Sequence, residues 1–342
     1  MLAIQHMHRF VIKHNSKLSK VTQIARSIAR DIEKDLLKKD FQLPSINDFS
    51  EQYAVARDTV EKAYKELKKE GYITSVAAKG YFVVGKKEDK LKILLIFNKI
   101  SSYKKIIYDS FLETLGEKAR VDLQIHHYSP RLLKEIIDNN LGDYHYYVIM
   151  PHFLPDSDKA ECLQIMQMIP PDELVLLDKD FPALEKKCMA VYQDFKEDIY
   201  NALQSVSDLL EKYERLTIIF PEYSNHPTEI IEGTLQFCTR QRKKFSVVPD
   251  FDEKTFIAGT AYIVIAESDL SRLIKKVRAS EHQLGKDIGI ISFNETVLKE
   301  LLDITVITTD FDAMGRTAAS LILNKQYIRV KNPFQVIKRQ SL

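Results

Sequence analysis

The sequence predicts an α/β protein in which a winged helix-turn-helix domain of α+β type precedes a two-lobed domain with parallel, doubly wound sheets. Three observations lead to this prediction. Residues 43–84 show two short helical patterns around a three-residue turn, followed by a hairpin pattern. From residue 91 onward, apolar strand patterns alternate with helical patterns, and the alternation restarts near residue 216. A chain of 342 residues, 45% of them apolar, can hold two or three such domains.

The predicted helix-turn-helix begins at Ser45. Ser45 can cap a helix, and Asp48, three residues later, can complete a capping box. Residues 54–56 predict a tight turn, and a second helix follows over residues 57–70. The apolar residues of this second helix recur at helical spacing and predict one buried stripe, formed by Val60, Ala63, Tyr64 and Leu67.

The second helix presents a cationic face on its other side, with Arg57, Thr59, Lys62, Lys65 and Lys69. Gly71 is suited to end this helix, and strands at about 72–76 and 81–84 flank a turn that holds Lys79 and Gly80. Periodicity alone is equally compatible with a three-helix bundle whose lysines are simply solvated. The order of capped helix, turn, cationic helix and cationic hairpin favours a domain that binds duplex DNA.

Charge is unevenly divided along the chain. Residues 1–90 hold 18 Lys and Arg against 12 Asp and Glu, whereas the other 252 residues hold 32 against 36. The formal net charge of +2 therefore conceals a basic head on an acidic body. A basic head can collect phosphate contacts, which agrees with duplex DNA as the partner.

Residues 20–85 resemble the GntR-type winged-helix head of bacterial transcription regulators. The resemblance rests on the lead helix VTQIARSIARDIEKDL, the LPS before the second helix, the helix RDTVEKAYKELKKEGYI and the wing KGYFV. In that family the recognition helix enters the major groove and the wing tip reaches the minor groove. The resemblance and the cationic helix face together imply DNA contacts by Ser45, Arg57, Thr59, Lys62, Lys65, Lys79 and Gly80.

Two positions depart from the family pattern. Asn47 stands where the family usually has an arginine, which puts a backbone or guanine contact there in doubt. Ala56 replaces the usual capping serine, a change that costs about 1 kcal/mol. Asp58 in the first helical turn can recover part of that through the helix dipole. We therefore expect an operator sequence that differs from the family's common one.

Several features indicate the compartment. No apolar run approaches the length of about 18 residues that a membrane span needs. Residues 1–19 are expected to be an N-terminal extension, and they lack a clean apolar region and cleavage site of a signal peptide. Cys162, Cys188 and Cys238 lie far apart without paired spacing, which indicates a reducing compartment and neither disulfides nor a zinc site. The sequence thus predicts a cytoplasmic protein without metal or cofactor.

The body follows a charged linker at residues 86–90. Most of its strand patterns are followed by a helical pattern, which predicts right-handed crossovers and parallel sheets. The predicted strands are 91–97, 121–126, 146–150, 174–177, 216–220, 245–248, 261–266 and 288–293, and the predicted helices are 103–118, 130–140, 156–169, 228–242 and 270–280. Two such series in one chain indicate two lobes with a cleft at the strand ends.

Residues 91–342 resemble the sugar-binding core of lactose-repressor-family regulators and type I periplasmic binding proteins. The resemblance is carried by LLDKDFP, VYQDF, IISFNET, TTDFDAMGRTAASLIL and the closing IKRQSL. It implies a first lobe at about 91–190 and 309–325, and a second lobe at about 195–305 and 328–342. A GntR head joined to this core is known as a minority architecture.

Sugar hydroxyls both donate and accept hydrogen bonds, so short Asp and Asn side chains at strand ends can bind them while aromatic rings pack on the C–H faces. The effector contacts expected on this basis are Asn98, Tyr103, Asp178, Asp194, Asp269 and Asn294. Each has a structural alternative: strand-end Asp and Asn often cap helices, and a single tyrosine is often core. For Asp269 capping is the better supported interpretation, whereas for Asp194 and Asn294 ligand contact is slightly favoured.

The charge of the effector follows from a missing arginine. Family members often carry an arginine at the start of the second lobe's first helix, but here the aligned position is near Pro227 and Thr228, with only His226 beside it. Without a clear cation in the cleft, the sequence favours a neutral monosaccharide.

These features predict a DNA-binding transcription regulator, most simply a repressor, that acts as a homodimer on a palindromic operator and responds to a small effector. The competing class is an α/β enzyme acting on a sugar-like substrate, with the head as an interaction domain. The sequence contains no GxGxxG, GxxxxGK[ST] or GxSxG motif. We therefore expect no catalytic activity.

Overall fold

The computed structural model describes residues 18–84, 90–184, 188–222 and 226–342. The expected N-terminal extension and linker fall almost entirely outside these described residues. The chain divides into two compact units. The first contains the described residues up to Leu94 with Glu117–Asp122 and Lys134–Tyr147, and the second contains Leu95–Gly116, Leu123–Leu133 and Val148–Leu342.

The first unit contains a winged helix-turn-helix. Its elements are α1 (Lys20–Glu33), α2 (Ile46–Tyr53), α3 (Arg57–Lys69), β1 (Ile73–Val76) and β2 (Gly80–Val83). Strands β1 and β2 form an antiparallel hairpin that pairs Val76 with Gly80. The predicted cap of α2 is present, because the Ser45 hydroxyl accepts a hydrogen bond from the Asp48 N–H at 3.2 Å. The Asp48 carboxylate accepts from the Ser45 hydroxyl at 2.7 Å, which differs from the bond to the Ser45 backbone N–H that a capping box would have.

A continuous apolar core fixes the angle between α2 and α3. Ala54 adopts the left-handed conformation, with φ of 49°, and ends α2, so that Val55 turns inward and is buried. The Tyr64 ring packs edge-on against Phe49 and Tyr81, and its hydroxyl donates to the Pro44 carbonyl at 2.9 Å. The predicted stripe of α3 is therefore the side that packs, and the cationic side is left at the surface.

The body contains two six-stranded sheets. The first has the order β13-β7-β6-β5-β3-β4, and the second has the order β14-β12-β11-β10-β8-β9. The strands of the first sheet are β3 (Leu91–Phe97), β4 (Ala119–Ile125), β5 (Tyr146–Ile149), β6 (Leu174–Asp178), β7 (Met189–Tyr192) and β13 (Arg329–Lys331). The strands of the second are β8 (Arg215–Ile219), β9 (Lys244–Val248), β10 (Thr260–Val264), β11 (Ile288–Phe293), β12 (Thr305–Thr309) and β14 (Phe334–Ile337).

Helices connect these strands. Those that precede a strand of the first sheet are α4 (Ser102–Leu115), α5 (Pro130–Asn140), α6 (Lys159–Met166) and α12 (Phe311–Leu323). Those that precede a strand of the second sheet are α7 (Phe195–Ser205), α8 (Ser207–Leu210), α9 (Glu229–Arg240), α10 (Glu267–Arg278) and α11 (Val297–Leu301). Strands β6, β10 and β11 are buried along their whole length, as expected for parallel strands covered on both faces.

The predicted parallel architecture is confirmed, and an antiparallel pairing lies at one edge of the second sheet. Strand β14 pairs antiparallel with β12, whereas β10 pairs parallel with β8 and β11. The exception has a simple cause. Only two residues separate β13 from β14, so the chain leaves the first sheet and enters the edge of the second without a helical crossover.

Helices α4 and α12 of the second unit pack unusually closely. A Cβ at Gly315 in α12 would lie 2.1 Å from the Ser110 Oγ and 2.4 Å from the Ile107 carbonyl oxygen of α4. Only a glycine allows this approach. The contact fixes α4, whose first turn supplies Ser102, Tyr103 and Lys104 to the lining of a cavity.

Within the described residues, no helix is both long enough and apolar enough to cross a membrane.

Candidate functional site

The head presents a polar surface at the start of α3 and at the hairpin turn. Helix α3 begins at Ala56 without a side-chain cap, so its first N–H groups and its positive dipole end can meet a phosphate. Of the seven residues expected to contact DNA, Thr59 is half-buried and the others, Ser45, Arg57, Lys62, Lys65, Lys79 and Gly80, are exposed. Asp58 lies in the first turn, as expected.

The cationic residues of this surface are not equivalent. Lys65 forms an ion pair with Glu61 at 2.7 Å, one helical turn away. This exposed pairing reduces the charge that Lys65 can offer to a phosphate. The hairpin turn is held by Gln42, whose side-chain N–H donates to the Lys79 carbonyl at 2.6 Å. Gly80 follows with φ of 101°, a conformation that favours glycine at the wing tip.

The second unit contains a cavity of about 480 Å³, a size suited to a small ligand. It lies where strands β3, β6 and β11 end and where helices α4 and α10 begin. Its polar and charged lining residues are Asn98, Lys99, Ser101, Ser102, Tyr103, Lys104, Tyr128, His152, Asp178, Gln193, His226, Glu267, Asn294 and Lys299. Rings of Phe195, Phe293, Phe311 and Phe334 supply apolar walls.

A cluster of buried polar side chains around Asp178 lines this cavity. The Lys104 Nζ lies 2.7 Å from the Asp178 Oδ2, and the His152 Nε2 lies 3.0 Å from the same oxygen. The Gln193 side-chain N–H donates to Oδ1. Asp178, Lys104 and His152 are each at least nine-tenths buried. Together these four residues form a fixed cluster, which we call the Asp178 cluster.

The charges of the Asp178 cluster are strongly coupled. Burial by itself raises the pKa of Asp178, but the Lys104 ammonium and the His152 hydrogen bond outweigh burial and hold that pKa well below its usual range. Burial lowers the pKa of His152 and outweighs the opposing effect of Asp178. At neutral pH the cluster therefore contains a carboxylate, an ammonium and an uncharged imidazole. Asp178 also has φ of 73°, a strained conformation of the kind found at functional sites.

The structure brings four of the six expected effector residues to the cavity: Asn98, Tyr103, Asp178 and Asn294. Asn98 is buried, and its Oδ1 has no hydrogen-bond partner among the described residues. Tyr103 stacks on Phe311 with ring centroids 5.1 Å apart, and burial raises its pKa to about 12. The Asn98 Oδ1 is thus an acceptor that a ligand in the cavity can use.

The other two expected residues serve as helix caps or structural acceptors, and neither is among the described residues that line the cavity. The Asp194 Oδ1 accepts the Glu197 N–H at 3.1 Å and caps α7. The Asp269 Oδ1 accepts the Phe251 N–H at 3.2 Å and lies 2.5 Å from the Arg272 guanidinium. The capping alternative therefore describes Asp194, for which ligand contact had been favoured. It does not describe Asp269, because α10 has Ala266 at its N-cap without a side-chain cap, and Asp269 instead binds the Phe251 N–H and Arg272.

Sequence reasoning missed several cavity residues. Lys104, His152 and Gln193 lie in segments far apart in the sequence. Lys104 and His152 belong to none of the motifs named above, and in VYQDF the neighbouring Asp194 was chosen instead of Gln193. Lys299 was also missed. Its Nζ donates to the carbonyls of Phe293 and Asn294 at 2.6 and 2.9 Å, and burial lowers its pKa.

Comparison with known proteins identifies the head. Residues 20–83 match the family model described as bacterial regulatory proteins, gntR family. The head is a GntR-type DNA-binding domain. The chain is also 23% identical over 218 residues to the HTH-type transcriptional regulator TreR of Bacillus subtilis (strain 168). The aligned region covers 63% of this chain and 81% of that protein. A chain with a GntR head and this relative is a transcriptional regulator.

Solved structures identify the fold of the body. The trehalose repressor from Escherichia coli superposes with a TM-score of 0.58 at 15% identity, covering 73% of this chain and 100% of that chain. The Lac repressor bound to ONPG superposes with a TM-score of 0.60 at 15% identity, covering 84% and 92%. The predicted two-lobed fold of the lactose-repressor and periplasmic-binding-protein type is therefore confirmed.

Proposed function

We propose that this regulator is a repressor whose affinity for its operator is controlled by a sugar bound in the cavity. The observation that carries the proposal is the hydrogen-bonding inventory of the cavity. The Asn98 Oδ1 is a buried acceptor without a partner, and an unpaired buried acceptor is costly. A ligand hydroxyl that donates to Asn98 can remove this cost, and its oxygen can in turn accept from a donor such as the Lys104 ammonium.

The cavity walls support a ligand of sugar size and shape. A volume of about 480 Å³ accommodates a monosaccharide with its ordered waters. The Phe195 and Phe293 rings offer apolar surface for the C–H faces of a pyranose or furanose ring. The names of the trehalose repressor and the ONPG-bound Lac repressor are consistent with saccharide effectors in proteins of this fold.

We further propose that the cavity binds without turnover and that the protein works in the cytoplasm. The two carboxylates of the described cavity lining are both engaged. Asp178 accepts three hydrogen bonds, and Glu267 lies 3.8 Å from the Lys299 ammonium. Held in this way, neither is placed as a free general base, which supports a binding site rather than a catalytic one.

The proposed regulation is a linked equilibrium. If the ligand alters the affinity of the head for DNA, DNA must alter the affinity for the ligand by the same factor, and such coupling energies are typically about 1–3 kcal/mol.

The function is tested by measuring binding of the full chain to duplex DNA from upstream of its own gene and to random duplex of equal length, over a range of salt concentrations. We expect tighter binding to the upstream duplex at every salt concentration, and a change in that affinity on adding a sugar that raises the melting temperature of the protein. Equal affinity for both duplexes would rule out specific regulation.

A homodimer is the assembly that we propose for operator binding, because paired winged helices read the two halves of a palindrome. The surface that supports it is the outer face of α11, where Val297, Leu298 and Leu301 are 71%, 64% and 76% exposed. Three large apolar residues on one short helix are unusual at a free surface. The same helix places Lys299 against the cavity, so it connects the ligand to this surface.

We expect the double substitution Leu298→Glu and Leu301→Glu to convert the dimer into monomers, since it places two like charges in the proposed apolar interface. Operator affinity should fall with it, because each monomer then binds only half a site. Sedimentation equilibrium gives the mass directly. Leu235→Glu, at a position 48% exposed on α9, is the matched control and should leave the dimer intact. If the double variant remained dimeric, α11 would not be part of the dimer interface.

A further inference from the structure

The cavity contains more cations than the sequence indicated. Among the residues that the structure describes, three lysines line it, Lys99, Lys104 and Lys299, against two carboxylates, Asp178 and Glu267. Both histidines of the lining are uncharged near neutral pH, because burial lowers the pKa of His152 and lowers that of His226 to about 4. The lining therefore has an excess of one positive charge, which contrasts with the expectation of a cleft without a clear cation.

The excess charge is localised at Lys99. Lys104 is neutralised by Asp178 at 2.7 Å. Lys299 is held by two carbonyl oxygens and lies 3.8 Å from Glu267. Lys99 has no ion-pair partner among the described residues, and its side chain is exposed at the cavity. It is therefore the ammonium that remains to be neutralised.

His226 is close enough to Lys99 to sense this charge. Among the charged groups around His226, Lys99 has the largest influence on its pKa, larger than the opposing influence of Asp178. Both residues line the same cavity, so an anion bound between them would be favourable for each. Lys99 follows β3, whereas His226 precedes α9, so the two residues come from different lobes of the same unit. We call this pair the Lys99–His226 corner.

We propose that the Lys99–His226 corner binds an anionic group of the effector, a carboxylate or a phosphate, so that the ligand is an acidic or phosphorylated sugar. The proposal rests on the proposed function and deepens it. Asn98 adds a second requirement on the ligand, because its buried, unpartnered Oδ1 needs a hydroxyl donor in the same cavity. The ligand class thus combines a hydroxyl group with one negative charge.

The chemistry of the corner links binding to protonation. An anion beside His226 favours the imidazolium, since hydrogen bonds between charged partners are the strong ones. The pKa of His226 should therefore rise from about 4 in the free protein on binding. Affinity should increase as pH falls through the raised pKa of the complex, over the pH range in which the ligand keeps its negative charge.

The test uses the full chain and matched ligands. Calorimetry compares neutral hexoses with the corresponding uronic acids and hexose 6-phosphates, and inorganic phosphate and acetate probe the corner without a sugar ring. All titrations are made at constant ionic strength. Preference for uronic acids and acetate would identify a carboxylate, and preference for 6-phosphates and inorganic phosphate would identify a phosphate. We expect charged members to bind at least about tenfold more tightly than their neutral counterparts.

Variants separate the corner from general electrostatics. Lys99→Ala should lower the affinity for the charged probes by about tenfold or more and leave neutral hexoses unchanged. Lys275→Ala, an exposed lysine on α10 outside the described cavity lining, should change neither. The NMR titration of His226 gives a readout independent of affinity, because the bound anion should raise its pKa in the wild type and less in Lys99→Ala.

Three results would overturn the inference: neutral hexoses binding as tightly as the acids, equal anion binding by wild type and Lys99→Ala, or no effect of phosphate and acetate on the pKa of His226. Failure of the proposed function has a different signature. If the chain bound anions at the corner but did not distinguish its upstream DNA from random duplex, the anion site would stand and the proposed regulatory function would fail.

Discussion

Replacing Asp178 by alanine is expected to destabilise the second unit by about 3–5 kcal/mol and to abolish ligand binding. The carboxylate is the shared acceptor of Lys104, His152 and Gln193. Its removal leaves a buried ammonium without its counter-ion, and the side chain of Lys104 is only 9% exposed. Equilibrium unfolding in urea, followed by circular dichroism, gives the change in the free energy of unfolding.

A second variant separates the loss of the carboxylate from the stranding of the ammonium. Lys104→Met in the Asp178→Ala background removes the unpaired charge, so most of the lost stability should return while ligand binding stays absent. Replacement of a whole buried ion pair by apolar groups is often neutral or favourable. If Asp178→Ala alone unfolded with the wild-type free energy, the Asp178 cluster would not be the stabilising element inferred here.

The Asp178 carboxylate also makes the stability of the fold depend on pH. Since its pKa in the folded protein lies well below the ordinary value of an aspartate, Asp178 stabilises the fold at all pH values above its unfolded-state pKa. This contribution is lost as pH falls through the lower pKa of the folded state. Asp178→Asn should therefore be less stable at neutral pH and lose less stability on acidification than the wild type.

The head was predictable from its sequence because its structure is locally encoded. Ser45 and Asp48 cap a helix three residues apart, Gly80 turns a hairpin of four-residue strands, and the stripe from Val60 to Leu67 repeats at helical spacing. Each signal lies within one element, so short-range periodicity and capping chemistry are sufficient to place it.

The cavity was only partly predictable, for two physical reasons. First, the Asp178 cluster joins residues from α4, the segment after β5, β6 and the segment after β7, and only the tertiary fold brings them together. Lys104 in particular looks like an ordinary surface lysine on an amphipathic helix. Second, an Asp after a strand can bind a ligand or cap the next helix. The same residue type serves both roles, so Asp178 and Asp194 could not be distinguished by sequence.

The edge of the second sheet shows a related limit. Strand β14 at this edge, and strands β7 and β13 of the first sheet, are only three or four residues long, too short for alternation to identify them as strands. Asn332 lies between β13 and β14 and is held by the Tyr192 carbonyl and the Thr309 hydroxyl, at 2.7 and 2.8 Å. These contacts come from two other crossings between the sheets, so the antiparallel edge is determined by contacts remote in sequence.

Arg57→Ala is expected to weaken operator binding by about ten- to a hundredfold without changing ligand affinity or the free energy of unfolding of the head. Arg57 is exposed in the first turn of α3, at the end that lacks a side-chain cap, and the recognition helix of this domain type meets the bases with its N-terminal residues. Fluorescence anisotropy with a labelled operator measures the affinity, and calorimetry with the effector checks the cavity.

Lys69→Ala is the matched control for Arg57→Ala, since it removes an exposed positive charge from the same helix about 18 Å farther along its axis. If the start of α3 reads bases, Arg57→Ala should reduce affinity for the operator more than for random duplex, whereas Lys62→Ala should weaken both alike and lower the salt dependence by about one counterion. Equal losses for Arg57→Ala and Lys69→Ala on both duplexes would mean that α3 contributes only general charge. Base recognition would then have to come from the wing, where Lys79 and Gly80 form the exposed turn of the hairpin.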